Sequence, residues 1–224
     1  MSKPGLTISY TLKTHQNLSE NVLLVLVEQT ASLARKIGCP QVWGPAFGGP
    51  FHWKMWELPD GAWTGEPYSP LGGYSVSVLP GEGSEHASFG LCRYDNVPGW
   101  TLSASCKTQY AARHGIDHFL LCHRRVISLL DLWRDFGVQL DVCDEGQYWE
   151  TRSTDRLRQK LGSYDRLVAA VAGAINDEAD GIDPKIAAAI FDDARYERLE
   201  AEGREGFAGQ LAEVKEVLAS LRQS

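Results

Sequence analysis

The chain has 224 residues, 43% of them hydrophobic and 23% charged, which is the balance of a folded protein and excludes a disordered one. Its net charge of −7 argues against nucleic acid as the main partner, because binding a nucleic-acid backbone requires clustered Lys and Arg. The longest apolar run, residues 22–27, is too short to cross a bilayer, and the first residues do not have the pattern of a signal peptide.

The first two predicted elements are a strand and a helix. Apolar and polar residues alternate over residues 6–13, which predicts a strand with one buried face. Asn17, with Glu20 three residues later, has the pattern of a capping box and predicts the start of a helix. Apolar residues then keep helical spacing until Gly38 and Pro40, which predict the end of that helix.

Residues 40–72 differ from their surroundings because aromatic side chains are mixed with glycine and proline. We expect most of this stretch to be loop, with a short extended piece at residues 51–55. Aromatic rings on irregular backbone offer a large contact area and can form a recognition surface. The rings can equally fasten a long loop onto a sheet, and the sequence leaves both interpretations open. The candidate binding residues are Trp43, Trp53, Trp56 and Trp63.

The middle of the chain is predicted to contain strands and a second helix. An amphipathic helix spans residues 116–136 and stops before Gly137. After it, alternation at residues 138–142 predicts a strand, and residues 148–151 are expected to pair with it as a hairpin. The strands expected before the helix are residues 74–79, 87–94 and 100–110.

The last part of the chain is predicted to be helical. Apolar residues keep helical spacing from Thr154 onward, with an acidic break at residues 176–183. The glycines at positions 203, 206 and 209 are expected to weaken the stretch that follows. Residues 207–221 then form a final amphipathic helix whose apolar face needs cover.

This order of elements predicts an α+β fold, with a largely antiparallel sheet and two helices packed on one of its faces. We expect residues 1–152 to form the sheet domain. Residues 153–224 are expected to form a helical extension that packs on this domain or on a second copy of the chain, which would give a homodimer through the C-terminal helices.

One group of reactive side chains has the composition of a nucleophilic site. Cys106 closes the strand that alternates best, and His123 is expected to point inward from the helix that covers the sheet. With Asp144 or Glu145 to orient the imidazole, the two would form an activated Cys–His pair. The alternative is a buried thiol and a histidine that hydrogen-bonds within the core.

A second group has the composition of a metal site. His114, His118 and Cys122 are spaced by four residues, so they would share one helix face, and His and Cys ligands suit zinc. A fourth ligand would have to come from elsewhere, such as Asp144 or Glu145. Because that ligand set is weak, we predict surface histidines beside a half-buried thiol and no bound metal.

Acidic residues form two further clusters. Residues 176–181 resemble the first half of an EF-hand loop, but Ala187 stands where that loop needs a bidentate Glu, which argues against calcium. The other cluster could divide acid and base chemistry between paired carboxylates, or it could simply be a solvated hairpin tip. Its members are Asp141, Asp144, Glu145 and Glu150.

Motifs and cysteines limit the function classes further. The sequence contains no phosphate-binding Gly-x-x-x-x-Gly-Lys-Ser/Thr loop, no Gly-x-Gly-x-x-Gly fingerprint, no Gly-x-Ser-x-Gly elbow and no His-Glu-x-x-His helix, so we predict no cofactor. The five cysteines are odd in number and include no Cys-x-x-Cys pair. They therefore predict reduced thiols and a cytoplasmic location.

The function that these observations favour is that of a non-catalytic cytoplasmic protein that binds another protein, as a regulator, inhibitor or immunity-type partner. Its acidic charge suits a basic partner, and the aromatic stretch offers a contact surface. The alternative is a small hydrolase or transferase that uses Cys106 and His123, or a metal held near His118 and Cys122. One observation separates them, namely whether Cys106, His123 and Asp144 converge in an open pocket.

Overall fold

The computed structural model describes most residues between 6 and 178 and several beyond them. The described residues are 6–14, 18–47, 55–57, 63–68, 70–95, 97–178, 203, 205, 207–209 and 211–212. The strands are β1 (Thr7–Thr14), β2 (Gln41–Phe47), β3 (Met55–Glu57), β4 (Trp63–Tyr68), β5 (Gly72–Leu79), β6 (Ala87–Arg93), β7 (Trp100–Lys107) and β8 (Gln139–Asp144). The helices are α1 (Glu20–Lys36), a 3-10 helix (Gln109–His114), α2 (Ile116–Asp135), α3 (Tyr148–Thr151) and α4 (Thr154–Glu178).

Six of the described strands form one antiparallel sheet in the order β2-β5-β6-β7-β1-β8, and β3 pairs with β4 separately. The first strand of the chain therefore lies inside the sheet, between β7 and β8. Ile8 and Leu12 are fully buried on one face of β1, whereas Ser9 is exposed on the other face. The alternation predicted for residues 6–13 is thus confirmed, because successive side chains of a strand point to opposite faces.

Both long helices of the sheet domain cover the same face of this sheet. α1 contributes Leu23 and Leu26 to a single core, α2 contributes Ile127 and Trp133, and Leu12 of β1 belongs to the same core. This confirms the predicted α+β fold with a largely antiparallel sheet. None of the helices within the described ranges is long and apolar enough to cross a membrane.

The start of α1 differs from the prediction. Asn17 lies outside the described residues, and the residue that caps the helix is Ser19, whose Oγ accepts the N–H of Val22 over 3.4 Å. Ser is as good a helix cap as Asn, so a cap two residues later than predicted is equally favourable. At the other end of the helix, the guanidinium of Arg125 on α2 donates to the Ile37 carbonyl over 2.9 Å.

The aromatic stretch contains more regular structure than predicted. β2 occupies residues that were expected to be loop, and β3 and β4 form a short two-stranded sheet. The prediction was wrong because it took Gly44 and Pro45 as loop signals. β2 accommodates them with an irregularity in its pairing with β5 between Trp43 and Ala46, and it resumes pairing afterwards.

Residues 148–151 were predicted to be a strand, and that prediction was wrong. They form the single helical turn α3. The cause is the carboxylate of Asp144, which accepts the backbone N–H groups of Gly146, Tyr148 and Trp149 over 2.7, 2.7 and 2.8 Å. An aspartate that receives these N–H groups stabilises a helical turn and leaves them unable to pair across a hairpin.

Contacts within the chain separate two units, one of Gly5–Leu157 and the other of Arg158–Ser224 with Met1–Pro4. In the second unit, a Cβ added at Gly203 would overlap the Arg166 carbonyl oxygen and come within 2.8 Å of Ala170 Cβ. Gly203 therefore permits close contact with α4, where the sequence suggested only a weak helix former. Leu211 is buried with Ala170 in the same unit.

Candidate functional site

A buried histidine and aspartate form the centre of the candidate site. His123 Nε2 lies 3.2 Å from Asp144 Oδ2, and neither side chain is exposed to solvent. His123 Nδ1 lies 2.9 Å from the Thr108 hydroxyl, which is also fully buried. Because a carboxylate only accepts hydrogen bonds, Nε2–H donates to Asp144, and Nδ1 shares a hydrogen bond with the Thr108 hydroxyl. The structure thus brings together two predicted residues, His123 and Asp144, and adds Thr108, which sequence reasoning missed.

Asp144 is the most heavily hydrogen-bonded group of this cluster. Besides His123, it accepts the backbone N–H group of Gly146, in the turn before α3, and those of Tyr148 and Trp149, at the start of α3. Burial alone would raise the pKa of Asp144, but the hydrogen bond and the charge of His123, together with the N–H groups of Trp149 and Gly146, outweigh it and lower the pKa below 3.8. Asp144 is therefore held as a carboxylate within the core.

Thr108, His123 and Asp144 have the hydroxyl–imidazole–carboxylate order of a hydrolytic triad. A triad also requires a hydroxyl that a substrate can reach, whereas Thr108 and His123 are fully buried. In this conformation the cluster satisfies buried polar groups and connects α2, β8 and α3 with the start of the 3-10 helix that follows β7. We name Thr108, His123 and Asp144 the closed cluster.

Cys106 is not part of the closed cluster. It is fully buried, and its thiol donates to the Glu85 carbonyl over 3.2 Å. Burial, with the nearby charges of Glu85 and Cys122, raises the pKa of the Cys106 thiol well above its ordinary value. A buried, protonated thiol is a poor nucleophile, so its described environment resembles that of a structural cysteine.

Glu145, the other predicted orienting group, extends the pairing of β1 with β8. Its Oε2 accepts the Thr7 N–H over 2.9 Å, and its own N–H donates to the Thr7 carbonyl over 3.1 Å. Asp141 and Glu150, the remaining acids of the predicted cluster, are exposed. The structure therefore separates the four carboxylates into one that is buried in the core, one that is bound to a strand and two that face solvent.

His114, His118 and Cys122 follow one another along the first turns of α2 and the helix before it. The rings of His114 and His118 are 5.4 Å apart, and His118 Nε2 lies 3.5 Å from Cys122 Sγ and 2.9 Å from the Glu82 carbonyl. Burial raises the pKa of the Cys122 thiol, although the charge of Arg125 opposes this. Among the described residues, no group of three or more His, Cys, Asp or Glu side chains is arranged to hold a metal ion.

A second polar cluster lies at the other end of α3. Arg152 donates to both carboxylate oxygens of Asp131 over 2.8 Å, and Arg134 also contacts Asp131 at 2.9 Å. The two guanidinium groups lie over the Trp149 ring, at 4.7 Å for Arg152 and 5.4 Å for Arg134. We name Asp131, Arg134, Trp149 and Arg152 the open cluster, since both arginines are substantially exposed.

Of the four tryptophans proposed as binding residues, the structure describes the side chain of Trp43. It is 38% exposed on β2, an outer strand of the sheet, and its ring centroid lies 4.6 Å from that of His86. Trp53 lies outside the described residues, as do the side chains of Trp56 and Trp63. The exposure of Trp43 is what a recognition residue requires and a core residue lacks.

Comparison with protein-family models, with curated proteins and with solved structures gives no match to this chain.

Proposed function

We propose that this chain is a non-catalytic intracellular protein that binds another protein, as a regulator, inhibitor or immunity-type partner, and that Trp43 contacts that partner. The observation that carries the proposal is the exposure of 38% of the Trp43 side chain on an outer strand. Tryptophan is enriched among the residues that contribute most to binding, since its ring buries a large area with few rotatable bonds.

The surroundings of Trp43 support this role. The neighbouring His86 ring, 4.6 Å away, restricts the positions that the indole can take. The indole nevertheless stays partly exposed. A side chain that is already ordered before binding loses less conformational entropy in the complex. The net charge of −7 favours a basic partner, because electrostatic complementarity accelerates the encounter of oppositely charged proteins.

A photo-crosslinking experiment tests the proposal. Benzoylphenylalanine would replace Trp43 in one protein and Leu71, which is 59% exposed, in a control. We expect irradiation in native lysate to give a discrete adduct from position 43 and none of the same mass from position 71. Unlabelled parent protein should compete for this adduct, whereas the Trp43→Ala protein should not. Equal adducts from both positions would rule out a specific surface at Trp43.

Stability measurements on two tryptophan variants complete the test. Trp43→Ala should change the free energy of unfolding by about 0.5 kcal/mol or less, as expected for an exposed residue. Trp133→Ala, at a fully buried position, should destabilise the protein by about 3–5 kcal/mol. If Trp43→Ala were as destabilising as Trp133→Ala, the indole would have a structural role.

The second candidate function is a small hydrolase or transferase that uses a Cys–His pair or a metal. The observation that favours it is the 3.5 Å distance between Cys122 Sγ and His118 Nε2. Elemental analysis of the purified protein and pH-dependent alkylation of Cys122 would test this alternative. About one zinc per chain that is lost in His118→Ala, or a Cys122 that reacts faster than Cys143 at neutral pH, would favour the enzyme.

A further inference from the structure

The two outermost strands of the described sheet differ in regularity. In β2, the pairing with β5 is interrupted between Trp43 and Ala46, where Gly44 and Pro45 lie. Irregularities and prolines of this kind keep an outer strand from pairing with another chain. β8 pairs with β1 in one unbroken register and contains no proline. Of these two strands, β8 therefore has the backbone that can accept a further strand.

Hydrogen-bond alternation identifies the backbone groups of β8 that point away from the sheet. The N–H of Glu145 donates to the carbonyl of Thr7 over 3.1 Å, so these two residues form a hydrogen-bonded pair. Such pairs alternate along an antiparallel ladder, and every second residue of β8 counted back from Glu145 also bonds to β1. The N–H and C=O groups of Leu140 and Val142 consequently face away from β1.

The side chains along this outward edge define the segment that fits it. Leu140 and Val142 are half-buried against the core, so they offer an apolar contact on the inner face. Asp141 is exposed on the outer face, and β8 contains no Lys or Arg. Outer strands that avoid pairing often carry Lys, whereas this one carries an aspartate. A strand that places Lys or Arg beside Asp141 would gain a favourable cross-strand pair.

A second copy of this chain suits the edge less well. Each copy carries a net charge of −7, so two copies repel each other at long range. Antiparallel pairing of two β8 strands centred on Asp141 would also place two carboxylates directly opposite, which is destabilising. Charge complementarity therefore favours a basic partner.

We propose that β8 is an interaction surface that takes an extended, basic segment of a partner protein as an additional strand. The main-chain groups of Leu140 and Val142 supply the hydrogen bonds. Apolar residues of the segment contact the two side chains, and a Lys or Arg lies beside Asp141. This surface is separate from Trp43, because β8 and β2 stand at opposite ends of the strand order.

Two synthetic peptides test the proposal on the full-length chain. One alternates lysine with valine, and the other alternates glutamate with valine at the same length. In low-salt buffer, the lysine peptide should shift the NMR amide signals of Leu140, Asp141 and Val142, and the glutamate peptide should not. A lysine peptide with N-methylated backbone amides keeps its charge but cannot extend the sheet, so it should bind at least about tenfold more weakly.

Variants of β8 provide the second arm of the test. Asp141→Lys should reverse the preference between the two peptides, whereas Glu28→Lys, an equal charge change on exposed α1, should leave it unchanged. Val142→Pro removes an outward N–H and should weaken binding of the lysine peptide by about tenfold or more. Should Val142→Pro fail to fold, Asp141→Lys and the N-methylated peptide still decide the question.

Several outcomes would overturn the proposal. They are equal binding of the methylated and unmethylated peptides, signal shifts confined to residues away from β8, and an unchanged preference in Asp141→Lys. Self-association of the chain through β8, detected by sedimentation and abolished by Val142→Pro, would identify a second copy as the occupant instead. Crosslinking at position 43 tests the Trp43 proposal independently. A negative result at β8 therefore does not contradict that proposal.

Discussion

The single turn α3 is anchored by one aspartate at each end, and the two anchors differ mainly in their access to solvent. At its start, Asp144 has a fully buried side chain and accepts hydrogen bonds from His123 and three backbone N–H groups. At its end, Asp131 is 29% exposed and accepts two 2.8 Å hydrogen bonds from Arg152. Water can replace the hydrogen bonds of the open cluster but cannot reach those of the closed cluster. Hydrogen bonds of similar length therefore contribute differently to stability in the two clusters.

Removing each aspartate gives the largest expected difference between the two clusters. Asp144→Ala leaves the buried His123 and three backbone N–H groups without their acceptor and should lower the free energy of unfolding by about 3–5 kcal/mol. Asp131→Ala removes a solvent-exposed pair and should cost about 1 kcal/mol or less. Urea denaturation followed by circular dichroism measures both. Similar losses in the two variants would show that burial does not separate the clusters.

A pair of threonine variants sharpens the comparison at the level of one hydroxyl. Thr108→Val leaves His123 Nδ1 buried without its hydrogen-bond partner, which should cost about 1–3 kcal/mol. Thr11→Val removes a hydroxyl that contacts Ser103 on the exposed face of the sheet, and it should change stability by about 0.5 kcal/mol or less. The two substitutions are chemically identical, so the same denaturation assay compares environments alone.

The stability that the closed cluster provides should depend on pH. The pKa of Asp144 is lowered in the folded protein, so the unfolded chain takes up this proton first as the pH falls below 3.8. The stabilising contribution of Asp144 is therefore complete above that pH and is lost as the pH falls towards the folded pKa. The stability gap between the parent and Asp144→Asn should therefore shrink as the pH falls below 3.8. A gap that stays constant would contradict the lowered pKa.

The last prediction concerns the reactivity of the cysteines, where the expected effect is the labelling of a single exposed thiol. Of the five free cysteines, Cys143 is exposed and the other four are buried. Burial raises the pKa of Cys39 and of Cys92 to about 11, which further suppresses their thiolate forms. One thiol per native chain should therefore react rapidly with Ellman's reagent, and Cys143→Ser should abolish that fast phase. A fast phase of two or more thiols would contradict the described burial.

Much of the fold follows from periodicity, and its failures have identifiable causes. Alternation of apolar residues located β1 and β5–β8, and helical spacing located α1 and α2. Local turn signals misled the prediction at Gly44 and Pro45, because pairing with β5 overrides them. At residues 148–151, the decisive group is the carboxylate of Asp144, which accepts the N–H groups that follow it. The spacing of apolar residues gives no information about such hydrogen bonds.

The candidate site was predictable only in part. The inward direction of His123 follows from its place in the apolar stripe of α2, and its pairing with Asp144 was one of two carboxylate options. Thr108 directly follows β7 and carries no motif, so its contact with His123 depends on how the 3-10 helix leads into α2. The Cys106 thiol points towards Glu85 because of the position of the loop before β6. Alternation along β7 predicts which face a side chain lies on, but it does not predict the position of that loop.

The interior position of β1 has a consequence for how the chain reaches this structure. β1 is synthesised first, yet its neighbours are β7 and β8, and the Thr7–Glu145 hydrogen bond spans 138 residues of sequence. At about 5–20 residues per second, a ribosome needs roughly 7–30 s to make that intervening chain. β1 lacks β7 for most of that interval and lacks β8 throughout it. We therefore expect nascent chains to depend on chaperones until β8 emerges, and the sheet to close in a late, cooperative step.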